Sequence, residues 1–230
     1  AGLYTNPQEE GILNANTAPP SAREVAAFKN SLVYADCDVL ARLFVTLLSV
    51  GSPNGVQVDD TFTLDSLTYT AKAAESYNSR EFRVYTDSTP SLNVSRTAAS
   101  ICRVINRSPS NTTTSAYVIA GPDDEPGRMV FERRVFGQSV VFTPVGHPNA
   151  WNPPKAQTET SQHQNNAVYW SKFNQPDSVP LLQFQKLGSS DKSVLRCIST
   201  RDSLFIFKDD GIWKMSGEGA DSFRFDQVDT

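Results

Sequence analysis

The chain has little of the chemistry that catalysis or metal binding requires: of its 230 residues only two are histidines, His147 and His163. His147 precedes a proline and His163 lies in a run of polar amides, so both are predicted to lie in loops. Neither has a second histidine or a cysteine at ligand spacing, which argues against a zinc site. The G-x-S-x-G nucleophile elbow is also missing. We therefore expect a non-catalytic protein without a cofactor or a metal ion.

Cysteine is scarce as well. The three cysteines, Cys37, Cys102 and Cys197, lie far apart in the sequence. An odd number at such spacing fits neither a disulfide framework nor a zinc motif. Cys102 and Cys197 each lie in an apolar run, so we expect buried free thiols.

Long apolar runs are missing too. The longest run, residues 43–50, is interrupted by Thr46 and Ser49, and a membrane-spanning helix needs about 20 apolar residues. The first ten residues carry neither the basic nor the apolar region of a signal peptide, so neither secretion nor membrane insertion is expected. A net charge of −4 and an isoelectric point near 5.2 argue against a dedicated nucleic-acid binder, which usually has a basic face.

The pattern that is present is that of short antiparallel strands. At the C-terminal end, four apolar or alternating segments are separated by turns, one of which contains the hairpin dipeptide Asp210-Gly211. These segments predict a four-stranded meander with strands at residues 194–199, 203–208, 211–216 and 223–228.

A second hairpin is predicted near the N-terminus, where two apolar runs within residues 24–36 flank the turn Lys29-Asn30-Ser31. Residues 29–34 resemble residues 201–206 in their order of basic, Asx, Ser, Leu and two apolar residues. Both copies fall where a turn passes into a strand. A repeated supersecondary unit of this kind is what a β-propeller needs, because a lone four-stranded blade cannot bury both its faces.

The region between these hairpins has a different pattern. Strands are predicted at residues 61–70, 81–86, 117–120, 128–133 and 139–143. Apolar residues from Val94 to Ile105 recur at helical spacing, with Thr89 as N-cap, Pro90 at the first helical position and Pro109 beyond the end. This predicts a small inserted α+β domain at residues 56–145. The Pro-, Gln- and Asn-rich residues 146–166 are predicted to form a loop or linker, after which residues 167–171 resume as a strand.

Several groups could carry chemistry, and for each a structural role is favoured. The carboxylate groups and the Gly217-Glu218-Gly219 segment are assigned to turns, and a calcium site at Asp36-Cys37-Asp38 lacks further oxygen ligands. A basic-aromatic group in the inserted domain is better explained as a solvated strand face. The carboxylate groups are Asp36/Asp38, Asp59/Asp60, Asp123/Asp124/Glu125 and Asp209/Asp210, and the basic-aromatic group is Arg128, Arg133, Arg134, Phe131 and Phe136.

A family resemblance rests on the C-terminal region. This region contains the string AVYWS at residues 167–171, then Gln175-Pro176 and Pro180, and the string SLFIFKDDGIWKMSG at residues 203–217. In these features it resembles the β-propeller tail proteins of tailed bacteriophages, of the tail nozzle or hub type found in short-tailed phages. The N-terminal string LYTNPQEEGILNANTAPPSAREVAAFKNSLVYAD resembles a preceding blade. The strings DTFTLDSLTYTAK and SRTAASICRVINRS resemble small α+β decorations of phage tail proteins, a weaker match.

The resemblance implies a mainly β fold with partial propeller-type blades, at residues 1–55 and 146–230, interrupted by the inserted domain. It also implies a non-enzymatic structural component of the virion tail, made in the host cytoplasm. Implied partners are other copies of the chain in a ring, neighbouring tail or connector proteins, and viral DNA passing through a lumen without sequence specificity. Two or three blades cannot close a ring, so we expect a fragment of a longer polypeptide.

Two other functions are compatible with the sequence. One is a host-surface glycan-binding module that uses Trp151, Tyr77 or Tyr117 to stack on sugar rings. The other is a propeller-type glycosidase or lyase with carboxylates such as Asp209 and Asp210 in its site.

Overall fold

A computed structural model describes residues 19–51, 53–119, 125–180 and 183–229. The described part is mainly β, as predicted. Its strands and its helix are, in chain order, β1 (Ser21–Phe28), β2 (Ser31–Val39), β3 (Arg42–Leu47), β4 (Thr61–Leu64), β5 (Leu67–Lys72), β6 (Glu81–Arg83), α1 (Pro90–Arg107), β7 (Thr114–Val118), β8 (Arg128–Arg133), β9 (Ser139–Pro144), β10 (Trp151–Asn152), β11 (Gln157–Thr160), β12 (Gln162–Trp170), β13 (Phe184–Lys186), β14 (Val194–Ser199), β15 (Leu204–Lys208), β16 (Gly211–Ser216) and β17 (Arg224–Asp229).

The chain divides into two compact units. Unit 1 comprises the described residues of 1–39 and 162–230, and unit 2 comprises those of 40–161. The boundaries therefore differ from those predicted at 55/56 and 145/146, because β3 and β11 pair with strands of unit 2.

Unit 1 contains two four-stranded sheets. The first sheet has the order β1-β2-β12-β13 and the second the order β14-β15-β16-β17, and all their pairings are antiparallel. The predicted N-terminal hairpin is confirmed: Lys29 and Asn30 both have positive φ, 45° and 60°, as a two-residue hairpin turn requires. The predicted C-terminal meander is confirmed to within a residue or two at each strand end.

The core of unit 1 lies between its two sheets. Trp170 of β12 packs against Phe223 and Phe225, and its indole N–H donates a hydrogen bond to the carbonyl of Ala220 at 3.0 Å. A smaller cluster occupies the opposite face of the first sheet. It contains Tyr34, Cys37, Ala167, Tyr169 and Val179.

Unit 2 contains the other two sheets and helix α1. The third sheet has the order β10-β3-β8-β7, and the fourth has the order β11-β9-β4-β5-β6, in which only the β5–β6 pair is parallel. One continuous apolar core joins them, centred on an aromatic cluster around Phe142, whose ring centroid lies 5.3 Å from that of Trp151 and 5.5 Å from that of Phe62. In the described residues, neither unit closes into a barrel or a complete propeller.

The predicted helix is confirmed, with Thr89 as N-cap residue, Pro90 at its start and Ser108 as C-cap. Proline is suited to the first turn because its missing N–H has no intrahelical partner there. The apolar side of α1, including Val94, Ile101 and Ile105, is buried in the core of unit 2.

The prediction of a linker at residues 146–166 is wrong. This stretch contains a 3-10 turn (Pro148–Ala150), β10, β11 and the first half of β12. The four residues of β11 pair with β9 along the edge of the fourth sheet. Polar edge strands are stabilised by ladder hydrogen bonds and neighbouring strands, which residue composition does not reveal. The predicted residues 1–18 of the N-terminal blade lie outside the described residues.

Candidate functional site

His163 lies in strand β12 and not in a loop, which corrects the sequence prediction. Its Nδ1 is 2.7 Å from Oδ1 of Asp38, and its Nε2 is 2.9 Å from Oδ1 of Asp36. Asp36 is 5% exposed and adopts φ 53°, where the β2–β12 register shifts between Gln164 and Val168. Arg23 approaches the other oxygen of Asp36 at 3.5 Å. The bulge thus turns two carboxylates of one strand toward a single imidazole.

This arrangement suits a structural contact between β2 and β12 more than a catalytic base or a metal ligand. Both ring nitrogens of His163 face carboxylate oxygens, so neither is open toward a further ligand. Within the described ranges, no group of three or more His, Cys, Asp or Glu side chains is placed to hold a metal ion.

His147 also has an acidic partner that sequence reasoning missed. Its Nδ1 lies 2.6 Å from Oδ2 of Asp60, which also accepts the Gln57 backbone N–H at 2.7 Å. The Gln57 side chain lies 3.4 Å from His147 Nε2. In the described part of the chain, neither imidazole is hydrogen-bonded to a serine, threonine or cysteine, as an activated nucleophile would require.

The structure places the predicted carboxylate groups in different environments. Asp36 and Asp38 lie in strand β2, so their assignment to a turn is wrong. Asp59 lies in a turn and pairs with Lys72 at 2.6 Å. Asp209 and Asp210 form the β15–β16 turn as predicted. Asp123 and Asp124 lie outside the described residues.

Asp210 is part of a structural ion pair. Its carboxylate lies 2.9 Å from the ammonium of Lys208, whose side chain is fully buried, and it accepts the Ser189 N–H at 2.9 Å. The hydrogen bond from Lys208 is the main cause that lowers the pKa of Asp210. The pair holds the loop before β14 against the second sheet.

The three cysteines are buried and free, as predicted. Burial, reinforced by nearby Asp36 and Asp38, raises the pKa of the Cys37 thiol to about 12, and burial likewise raises that of Cys197 to about 12. Burial also raises the pKa of Cys102. All three are thus protonated thiols at neutral pH, unsuited to nucleophilic attack.

The three residues predicted to stack on sugar rings do not form one exposed surface. Trp151 is 2% exposed and belongs to the core of unit 2, so its expected exposure is wrong. The ring of Tyr77 is covered by Arg107, with its guanidinium carbon 5.4 Å from the ring centroid. Tyr117 is partly buried in strand β7.

The basic-aromatic group at residues 128–136 also does not form a patch. Phe131 is fully buried, Arg133 binds Asp65 at 2.8 Å, and Arg128 pairs with Glu125. Glycines 217 and 219 frame the turn that the sequence predicts there, in which Ser222 Oγ accepts the Glu218 and Gly219 N–H groups at 3.1 Å.

The outward face of the second sheet is the most extended apolar feature of unit 1. In β15, Leu204 and Ile206 point into the core between the two sheets, so Phe205 and Phe207 point away from it. Cross-strand neighbours on that outward side are Ile198 and Ile212. Ile198 is 48% exposed and the other three are partly exposed. We call these four residues the outer stripe.

Charged side chains border the outer stripe. Arg196 lies opposite Phe207 and Lys214 lies opposite both Phe205 and Asp226 in the strand register. An apolar centre with a charged rim is the composition of a protein-binding surface.

The described part of the chain has no helix long and apolar enough to cross a membrane. Comparison of the chain with known protein families, with curated proteins and with solved structures finds no match.

Proposed function

We propose that this chain is a non-catalytic structural component of a bacteriophage tail, in which the two sheets of unit 1 act as propeller-type blades within a ring. The observation that carries the proposal is the outer stripe. The second sheet is apolar on both faces, one packed on the first sheet and the other partly open to solvent.

Two turns at the same place in the topology, although they differ in length and backbone geometry, support the idea that the two sheets repeat one unit. The turn at Lys29-Asn30 joins β1 to β2, and the turn at Arg201-Asp202 joins β14 to β15. In each case it links the first and second strands of a four-stranded antiparallel sheet. These are also the positions at which the sequence resembles itself.

Ring assembly follows from how such sheets bury their faces. A blade in a propeller packs each face against a neighbouring blade, so a terminal blade needs a partner. When the two contacting surfaces differ, repeated head-to-tail contacts generate a closed ring if the rotation between copies closes, and an open filament if it does not. The proposed partner of the outer stripe is therefore a further blade-type sheet, from another copy of this chain, with neighbouring tail proteins and viral DNA as further partners.

Labelling of purified virions tests the tail assignment. An antibody raised against this chain should mark the tail in electron micrographs. Label found elsewhere on the particle, or absent from it, would contradict the proposal.

A matched pair of variants tests the assembly surface. Phe205→Asp places a charge in the outer stripe and should shift the purified chain from oligomer to monomer in light scattering. Val135→Asp is the control, because Val135 is 57% exposed in a turn of unit 2 and should leave the mass unchanged. A monomeric parent chain, or equal behaviour of both variants, would argue against a ring formed through the outer stripe.

A glycan-binding role remains the second candidate because of one feature of unit 1. An open cavity of about 690 Å³ has the half-exposed ring of Phe173 beside Gln175 and Gln183. An exposed aromatic ring next to amide groups is suited to sugar stacking and hydrogen bonding. A glycan array with the parent chain and with Phe173→Ala tests it, since binding that depends on Phe173 would favour this function.

A further inference from the structure

Helix α1 is basic along its exposed side. It carries Arg96, Arg103 and Arg107 and contains no acidic residue. These three arginines lie outside the set of side chains that α1 buries in the core. From Arg96 to Arg107 the helix axis advances by about 16 Å.

Two tyrosines lie beside these arginines. The guanidinium carbons of Arg83 and Arg96 lie 4.4 Å and 4.1 Å from the centroid of the Tyr85 ring. Arg107 packs on the ring of Tyr77 and donates a hydrogen bond to its hydroxyl at 3.1 Å. Just beyond the C-terminal end of α1, Arg80 donates a hydrogen bond to the Ser110 hydroxyl at 2.9 Å. We call Arg80, Arg83, Tyr85, Arg96, Arg103 and Arg107, with Tyr77, the arginine–tyrosine strip.

The strip has an excess of positive charge. Asp87 pairs with Arg96 at 3.1 Å, and Glu75 pairs with Arg103. Glu81 lies in the same strand as Arg83. Five guanidiniums thus share three carboxylates.

Three of the five guanidiniums have no acidic partner. In the described residues, no carboxylate is paired with Arg80, Arg83 or Arg107. Two guanidiniums packed on one small ring repel each other, and a bound anion would relieve that repulsion.

We propose that the arginine–tyrosine strip binds the phosphodiester backbone of duplex DNA. Guanidiniums bind phosphate oxygens through two N–H groups at once, and stacking on tyrosine fixes their planes. About 16 Å of duplex corresponds to about five base pairs, so Arg83, which shares the Tyr85 ring with Arg96, and Arg107 contact phosphates at the two ends of this span.

The same geometry disfavours single-stranded DNA as the principal ligand. Single strands are held by bases stacked on open aromatic rings. Here guanidiniums already cover the rings of Tyr77 and Tyr85. Binding through phosphates alone is independent of sequence, depends on salt and allows sliding.

The inference rests on the DNA contact in the proposed function and assigns that contact to named residues. Its test is fluorescence anisotropy with a labelled 30-base-pair duplex and the full chain, titrated at several NaCl concentrations between 50 and 200 mM. Each phosphate contact contributes about −0.9 to the slope of log affinity against log salt. The double variant Arg83→Gln/Arg107→Gln should therefore make this slope less negative by about 2 and weaken binding equally for duplexes of unrelated sequence.

The matched control is Arg134→Gln/Lys155→Gln, which removes the same charge from exposed positions of unit 2 outside the strip. It should leave the slope within about 0.5 of the parent chain. Equal losses in both double variants would reduce the effect to net charge and overturn the assignment. So would an absence of duplex binding at 50 mM NaCl, or binding of heparin or single-stranded DNA alone. Each of these outcomes would overturn the DNA contact without affecting the result of virion labelling. Failed labelling would overturn the tail assignment without affecting this binding measurement.

Discussion

Unit 1 and unit 2 bury their apolar residues in different ways. In the described residues of unit 2, twenty-three buried residues form one continuous cluster. In those of unit 1, twelve lie between the two sheets and five lie on the far side of the first sheet. The outer stripe of the second sheet is only partly covered. Unit 2 therefore buries its apolar residues in one core, whereas the second sheet of unit 1 leaves an apolar face partly exposed.

The difference has a physical basis in how each unit is layered. Helix α1 and two sheets enclose a common centre in unit 2, so each element has one buried side. The two sheets of unit 1 share one core between them, so the outward face of each sheet lies outside that core.

Removal of an aromatic ring gives the largest expected contrast between the units. Phe142 is fully buried and contacts the rings of Phe62, Phe131 and Trp151, so Phe142→Ala should lower the free energy of unfolding of unit 2 by about 4 kcal/mol. The matched variant Phe205→Ala, in the outer stripe, should lower the free energy of unfolding of unit 1 by about 1 kcal/mol when the chain is monomeric.

Hydrogen exchange measured by mass spectrometry gives the stability of each unit separately, because the protection of an amide reports the free energy of local opening. Similar losses of protection in both variants would mean that the second sheet is as well covered as the core of unit 2. That result would remove the contrast.

A polar network of unit 2 provides a second test. Asp65 accepts hydrogen bonds from Thr114 Oγ1 and Arg133 Nη1 at 2.8 Å, and from the Val141 N–H at 3.0 Å. Asp65→Asn keeps the size of the side chain and the turn but removes the charge that Arg133 faces. It should lower the free energy of unfolding, measured with urea, by about 2 kcal/mol. Asp59→Asn, in a surface ion pair with Lys72, should cost less than about 1 kcal/mol. Equal costs would show that the network adds nothing beyond surface pairing.

The acid dependence of unit 1 gives a smaller effect. Lys208 and the Ser189 N–H lower the pKa of Asp210 below its ordinary value of 3.8. The folded-state pKa is thus below the unfolded one, so this contribution to stability is present above about pH 3.8 and is lost as pH falls through the lower folded value. Asp210→Asn should flatten the unfolding free energy of unit 1 between about pH 5 and pH 2. The control Asp209→Asn should retain the slope of the parent chain, and a retained slope in Asp210→Asn would contradict the prediction.

The smallest effect is expected from removing unit 2 altogether. Val39 of β2 is the register partner of Gln162 of β12, so an Asn-Gly turn in place of residues 40–161 would join the two strands as a hairpin. The remaining chain should keep the hydrogen-exchange protection of unit 1 within about 1 kcal/mol. Loss of protection in the second sheet would show that unit 1 depends on the insertion.

Features whose cause lies within a few neighbouring residues could be predicted from the sequence. Lys29-Asn30 and Asp210-Gly211 set tight turns through their backbone preferences, and Thr89-Pro90 starts α1 ahead of a 3.6-residue apolar period. The burial of Cys102 and Cys197 follows from the apolar runs in which they lie. All of these depend on residues within a few positions of each other.

Contacts between residues that are distant in the sequence could not be predicted, because they depend on how the strands pair and pack. The polar strand β11 exists because β9 lies beside it, and the unit boundaries follow from the pairing of β3 with β8. His163 meets Asp36 because a bulge between β2 and β12 turns both carboxylates of Asp36 and Asp38 toward it. Arg83, Tyr85 and Arg96 come together only when β6 and the following segment pack beside α1. Such contacts depend on strand register and on packing between elements, which no window of neighbouring residues encodes.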